Sequence, residues 1–178
     1  MRIKAPEKAA GFNTVDIYDQ PIRLDDYLGT KVILSFFRDA ACPFCNFRIY
    51  EMTHQYKAWQ QENLEVITFF SSPAHEVKAH VARYPRPFRM VSDPHLDVYN
   101  QYGVEHSAMA LLKALLFRMP RIYRGIRTGG RPRPNPHVKL VPADFLIDEE
   151  GRIVDTWYGR NTSDHIPLER IESFIHEA

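Results

Sequence analysis

The chain has 178 residues, 44% of them hydrophobic and 25% charged, which suits one compact domain (1–178) with a buried core. Met1 to Gly11 are polar and hold no long apolar run, so a signal peptide and a membrane span are excluded there and the expected location is cytoplasmic. The net charge of +1 hides an asymmetry: eight Lys or Arg and no acid lie between Glu105 and Asp144, leaving 15 basic against 22 acidic residues elsewhere.

In chain order, Val15–Tyr18 and Pro21–Leu24 read as short strands around a turn at Asp19–Gln20, followed by a short turn over Asp25–Leu28 that Gly29 ends. Lys31–Phe37 (KVILSFF) is a nearly unbroken apolar run rich in β-branched and aromatic residues, the pattern of a central strand buried on both faces. Cys45, Ile49, Met52, Tyr56 and Trp59 then fall on one helical stripe. Leu64–Phe70 predicts a second buried strand. Ser72-Pro73 opens another helix, with serine as its N-cap. Phe88–Val91 predicts a strand and His95–Tyr102 a short helix. Ala143–Ile147 and Arg152–Tyr158 predict a hairpin around Asp148–Gly151, and Asp164 with Pro167 starts a last helix that buries Leu168, Ile171, Phe174 and Ile175. Strands alternating with helices before a closing hairpin indicate an α/β sandwich with a mixed central sheet.

Between the first long strand and the amphipathic helix stands Cys42-Pro43-Phe44-Cys45, which contains both cysteines of the chain. Pro43 suits the first helical position, making Cys42 the N-cap and Cys45 the third helical residue. A sulfur at a helix N-terminus meets unpaired amides and the positive end of the helix dipole, so its pKa is expected to fall below ~8.5. Arg38 and Arg48 can add positive potential. Cysteines three apart on a helix are neighbours and can close a small disulfide ring, one attacking and the other resolving. Zinc would need two further ligands, and no second CxxC or close histidine pair supplies them. The expectation is a redox pair, with no metal and no cofactor.

The order of elements and the strand–CPFC–helix unit resemble the thioredoxin superfamily, in particular the AhpC/TSA (peroxiredoxin-like) branch carrying a CxxC. The likeness covers Gly11 to Tyr102 and Val141 to Ile175, and the CPFC unit also resembles the CPYC of glutaredoxins. It implies a thioredoxin-like three-layer sandwich, interrupted by an insertion at about 105–140. Val141-Pro142 followed by ADFLIDEEGRIV resembles the superfamily segment whose proline is usually cis and packs beside the cysteines, which makes Pro142 a site candidate.

Two departures matter. Peroxiredoxins carry Pro-x-x-x-Thr-x-x-Cys; here Arg38 takes the proline position, Cys42 the threonine position and Cys45 that of the peroxidatic cysteine. The arginine usual before the later strand falls near Pro142. The buried aspartate of thioredoxins falls on Phe36, leaving Asp39 or Glu51 as stand-in bases. The two alignments disagree on which sulfur attacks first. The thioredoxin-like one makes Cys42 the nucleophile, which the N-cap position favours as the more exposed and more acidic site.

In the insertion, 107–119 (SAMALLKALLFRM) is apolar nearly all round and too short for a membrane span, which suits burial or a homodimer contact. Arg121, Arg124, Arg127, Arg131 and Arg133 follow amid Gly and Pro, a basic loop that could instead capture an anionic ligand. Tyr123 is the lone aromatic among them, so nucleic-acid binding is poorly supported. Three functions remain: thiol–disulfide exchange with a protein or small-molecule partner, hydroperoxide reduction starting on Cys45, and a non-catalytic binding scaffold that uses the arginines.

Overall fold

The computed structural model describes residues 2–104, 126–127, 137 and 140–176. The predicted helix at 107–119 and, apart from Ile126 and Arg127, the arginine-rich stretch lie outside them. Six strands form a mixed sheet: β1 (Glu7–Lys8), β4 (Lys31–Phe37), β5 (Leu64–Phe70), β6 (Arg89–Ser92), β7 (Ala143–Ile147) and β8 (Arg152–Tyr158), ordered β1-β8-β7-β4-β5-β6. β4 runs parallel to β5 and antiparallel to β7. A separate hairpin joins β2 (Asn13–Val15) and β3 (Pro21–Arg23).

β4 lies at the centre, between β5 and β7, with every residue buried. Its alternation divides the core. Ile33 and Phe37 face a layer containing α1 (Pro43–Gln61), α2 (Ala74–His80) and α4 (Leu168–His176), with Cys42, Cys45, Ile49, Met52, Trp59, Val77 and Phe174. Leu34 and Phe36 face the opposite layer, where α3 (Asp97–Gln101) contributes Val98 and Tyr99. Continuous apolar strands thus serve two cores at once, as buried central strands must.

Most of the predicted elements stand where the periodicity put them. Ser72 is an exception: the N-cap of α2 is Pro73, and the Ser72 hydroxyl instead accepts the Ala40 amide at 3.0 Å. Asp93, ahead of α3, accepts the amides of Asp97, Val98 and Tyr99 at its start. The peptide before Pro142 is not cis, contrary to what the superfamily likeness implies; the one cis peptide among the described residues precedes Pro6. Pro142 is buried, and its carbonyl accepts the Gly159 amide at 2.9 Å. No helix among the described residues is long and apolar enough to cross a membrane.

Lys31 is the one charged residue of β4 and is buried. Its ammonium donates to the Phe174 and Ile175 carbonyls at 3.0 and 2.9 Å, placing a cation at the C-terminal end of α4, where the helix dipole favours it. Lys31→Met is expected to lower the unfolding free energy by about 1.5–3 kcal/mol, the usual worth of hydrogen bonds to a charged group. Urea denaturation checks this as a lower midpoint at constant slope; an unchanged midpoint would show that the two bonds contribute nothing.

Candidate active site

The redox pair forms where β4 ends and α1 begins. Pro43 opens α1, Cys42 is its N-cap residue and Cys45 lies in the first turn, as the spacing predicts. The two sulfurs are 3.6 Å apart, unbonded, and close enough to join with a small side-chain adjustment.

The loop before them is held from several sides. The Asp39 carboxylate accepts the Ala41 amide at 2.9 Å and the Ser72 hydroxyl at 3.2 Å. Asn46 donates from Nδ2 to the Ala40 and Cys42 carbonyls at 2.6 and 3.1 Å. The Ser71 hydroxyl donates to the Arg38 carbonyl. Tyr99 Oη lies 2.5 Å from the Phe37 carbonyl oxygen and 2.9 Å from that of Phe69, tying together the ends of the two strands beneath the loop. Ser71, Ser72, Asn46 and Tyr99 carry no local sequence signal for this task, because each acts on backbone brought near by the fold.

Arg38 supplies the charge. Its Nη2 lies 2.8 Å from Cys42 Sγ, and the side chain is buried. Charge-assisted contacts of this kind are strong because little water screens them. Arg48, the other candidate, is engaged elsewhere: it donates to the Ile166 carbonyl at 2.7 Å and lies 3.7 Å from Glu51. Glu51 thus faces Arg48, and the Asp39 carboxylate holds the loop through Ala41 and Ser72.

Burial opposes ionisation of Cys42, but hydrogen bonding from the Cys45 thiol and the charge of Arg38 outweigh it and bring its pKa down to about 6. Cys45 moves the other way: burial, reinforced by the adjacent Cys42, pushes it well above the ordinary thiol value. The pair is thus one thiolate and one thiol at neutral pH, the thiol donating to the thiolate. Cys42 makes no cap hydrogen bond of regular geometry, so the acidity predicted from the helix terminus comes chiefly from its side-chain neighbours. The expected exposure of Cys42 is not found. It is 2% exposed and Cys45 1%, since Phe44, Phe37 and Ile49 pack in the same core.

A cavity of about 320 Å³ adjoins this unit through Phe44, the residue between proline and second cysteine. Its walls come from the first three turns of α1, from Trp157 on β8 and from the 163–169 segment. His165 stands in that wall with Nδ1 at 3.1 Å from both carboxylate oxygens of Asp144. Asp144 pairs with Ser35 across β7 and β4 and is fully buried. Burial disfavours its charge, yet His165, Arg48 and the Ile166 amide overcome that and hold its carboxyl below the usual range. Asp144 and His165 were not among the sequence candidates; 21 residues separate them.

The AhpC/TSA family profile matches residues 5–156. The chain belongs to that family. A protein named as a peroxiredoxin, bcp, in Coxiella burnetii is 28% identical over 169 residues, covering 93% of this chain and 95% of the relative. Among solved structures, PrxQ of Xylella fastidiosa superposes with a TM-score of 0.71 at 14% identity, covering 98% of this chain and 94% of the other. The thioredoxin domain of a thiol-disulfide oxidoreductase from Bacteroides vulgatus gives 0.60 at 15% identity, covering 98% and 99%. These similarities establish the thioredoxin-like fold expected from the sequence. The guanidinium of Arg38 reaches Cys42 from the loop before the cysteines.

With a pKa of about 6, Cys42 is expected to alkylate at a rate that rises through that pH and levels off before pH 8. Arg38→Met should move the midpoint upward, because the anion loses its counter-charge. Iodoacetamide labelling followed by peptide mass spectrometry reads both midpoints, and a wild-type midpoint above 8 would contradict the geometry.

Proposed function

We propose that this AhpC/TSA protein is a thiol–disulfide oxidoreductase in which Cys42 attacks and Cys45 resolves. The observation that carries this reading is the 2.8 Å contact between Arg38 and Cys42 Sγ, beside a second sulfur at 3.6 Å. The Cys42 thiolate attacks one sulfur of a substrate disulfide, forming a mixed disulfide while the other substrate sulfur departs and takes a proton from water. Cys45 then loses its proton and attacks Cys42 Sγ. The Cys42–Cys45 disulfide forms, the second substrate thiolate leaves and is protonated, and two electrons have passed from protein to substrate. A dithiol from outside restores the pair by the reverse exchange.

The order of attack follows from ionisation, since the thiolate is the nucleophile. Attack by the resolving thiol becomes easier once Cys42 is in a mixed disulfide, because the neighbouring anion that raised the Cys45 pKa is then gone.

Hydroperoxide reduction is the second reading, favoured by the family profile and by the peroxiredoxin relative. On the family pattern it begins at Cys45, where a thiolate would attack the peroxide oxygen, give a sulfenic acid and release an alcohol or water. The high pKa of Cys45 makes that the slower entry at neutral pH.

Single substitutions separate the two. Cys45→Ser is expected to accumulate a mixed disulfide on Cys42 with insulin or a small disulfide, while Cys42→Ser loses exchange by at least ~100-fold, as removal of a thiolate nucleophile should. Dimedone labelling of Cys45 in Cys42→Ser after hydroperoxide, with no mixed disulfide in Cys45→Ser, would select the peroxidase route.

A further inference from the structure

β4 ends at Phe37, so Arg38 is the first residue past the strand pairing. Its Nη2 nevertheless meets Cys42 Sγ at 2.8 Å, and a long side chain reaches one point reliably only if its own backbone is fixed. A residue has two soft backbone dihedrals, one toward each of the planar peptides that flank its Cα. Pinning both peptides therefore sets the direction in which the side chain leaves the chain.

Both peptides around Arg38 are held by side-chain hydroxyls from other elements. On one side, the Phe37 carbonyl oxygen lies 2.5 Å from Tyr99 Oη, on α3 and 62 positions away. On the other, the Arg38 carbonyl accepts from the hydroxyl of Ser71, the residue that follows β5. Tyr99 Oη also lies 2.9 Å from the Phe69 carbonyl oxygen, which refers the anchor to the strand beside β4. Tyr99 and Ser71 are both buried, so little water competes for these carbonyls. Burial, and then the charge of Asp93, push the Tyr99 pKa well above the ordinary phenol value, and the hydroxyl keeps the proton it donates.

We infer that Tyr99 and Ser71 are positioning residues for the redox pair: by fixing the two peptides around Arg38 they hold its guanidinium against the Cys42 sulfur for the attack on a disulfide. This inference rests on the Cys42 exchange reading and adds the groups, from α3 and the end of β5, that keep the attacking sulfur ready. Removing either hydroxyl leaves a buried carbonyl without that donor and lets the Arg38 backbone turn.

The test reads the pH midpoint of Cys42 alkylation by iodoacetamide in the full-length chain. Tyr99→Phe, which keeps the ring that packs on Phe36, and Ser71→Ala should each raise the midpoint by about 1 pH unit, part of the ~1–3 units an adjacent opposite charge contributes. Oxidation of the reduced chain by 2-hydroxyethyl disulfide should then slow about fivefold near pH ~6 and recover by pH ~9, because the thiolate fraction is what has changed. Ser71→Thr keeps a hydroxyl and should keep the wild-type midpoint. In an Arg38→Met background neither Tyr99→Phe nor Ser71→Ala should move the midpoint further. Tyr102→Phe is the matched control: it deletes another buried hydroxyl of the same core, bonded to the Ala10 carbonyl at 2.7 Å, and should leave the midpoint in place.

An unchanged midpoint in folded Tyr99→Phe or Ser71→Ala overturns the proposal. So does an equal rise in Tyr102→Phe, or a rise that persists without Arg38. Should Tyr99→Phe not fold, Ser71→Ala and Ser71→Thr decide alone. A wild-type chain that no disulfide oxidises overturns the exchange reading instead, and the alkylation midpoints still judge the two anchors.

Discussion

The contact between the Arg38 guanidinium and the Cys42 sulfur is the interaction on which the site depends. Neither partner suits its surroundings alone. A guanidinium buried in a protein interior is costly, and so is a thiolate 2% exposed. Together each supplies the other's counter-charge at 2.8 Å. The supporting bonds follow from that need. Ser71 fixes the Arg38 carbonyl, Asp39 and Ser72 fix the next two amides, and Asn46 reaches back from α1 to the Ala40 and Cys42 carbonyls. The loop is short, and nearly every peptide group in it is committed, so the guanidinium has few other places to go.

Much of this molecule could be read before it was seen. Lys31–Phe37, Leu64–Phe70, Ala143–Ile147 and Arg152–Tyr158 begin and end at the residues expected, because an unbroken β-branched and aromatic run has few other places to stand than a buried sheet. The stripe from Cys45 to Trp59 is buried throughout, since a helix packed on a sheet hides one face. Less was legible where the cause is remote in sequence. β1 is two residues long and exists through pairing with β8. Ser72 has the composition of a cap but answers to a loop 32 residues earlier. Arg38 and Arg48 looked equivalent in sequence; the direction of each side chain decided between them. Exposure of Cys42 was misjudged for the same reason, because the N-cap rule describes a helix end and not what packs over it.

The site also reconciles two sequence patterns that had seemed to compete. Read as a peroxiredoxin, the chain lacks its proline and threonine and has Pro142 near the position of the usual arginine. Read as a thioredoxin, it lacks the buried aspartate and has Phe36 instead, which faces the opposite core. A cation is nevertheless present, supplied from the position of the missing proline, and a buried aspartate is present too, on β7 at Asp144 and opposite Ser35. The cation comes from the loop before the cysteines and favours the anion of Cys42, whereas Asp144 is engaged by His165 and the Ile166 amide.

Closing the Cys42–Cys45 bond would remove the anion but not the cation. The guanidinium of Arg38 would then remain buried against a neutral sulfur, and the dithiol state would hold an electrostatic attraction that its oxidised counterpart lacks. Such an imbalance shifts the couple toward accepting electrons, as any feature that stabilises a reduced form must. The same arginine that makes the sulfur reactive therefore also favours the dithiol, the state in which the pair can attack a substrate disulfide.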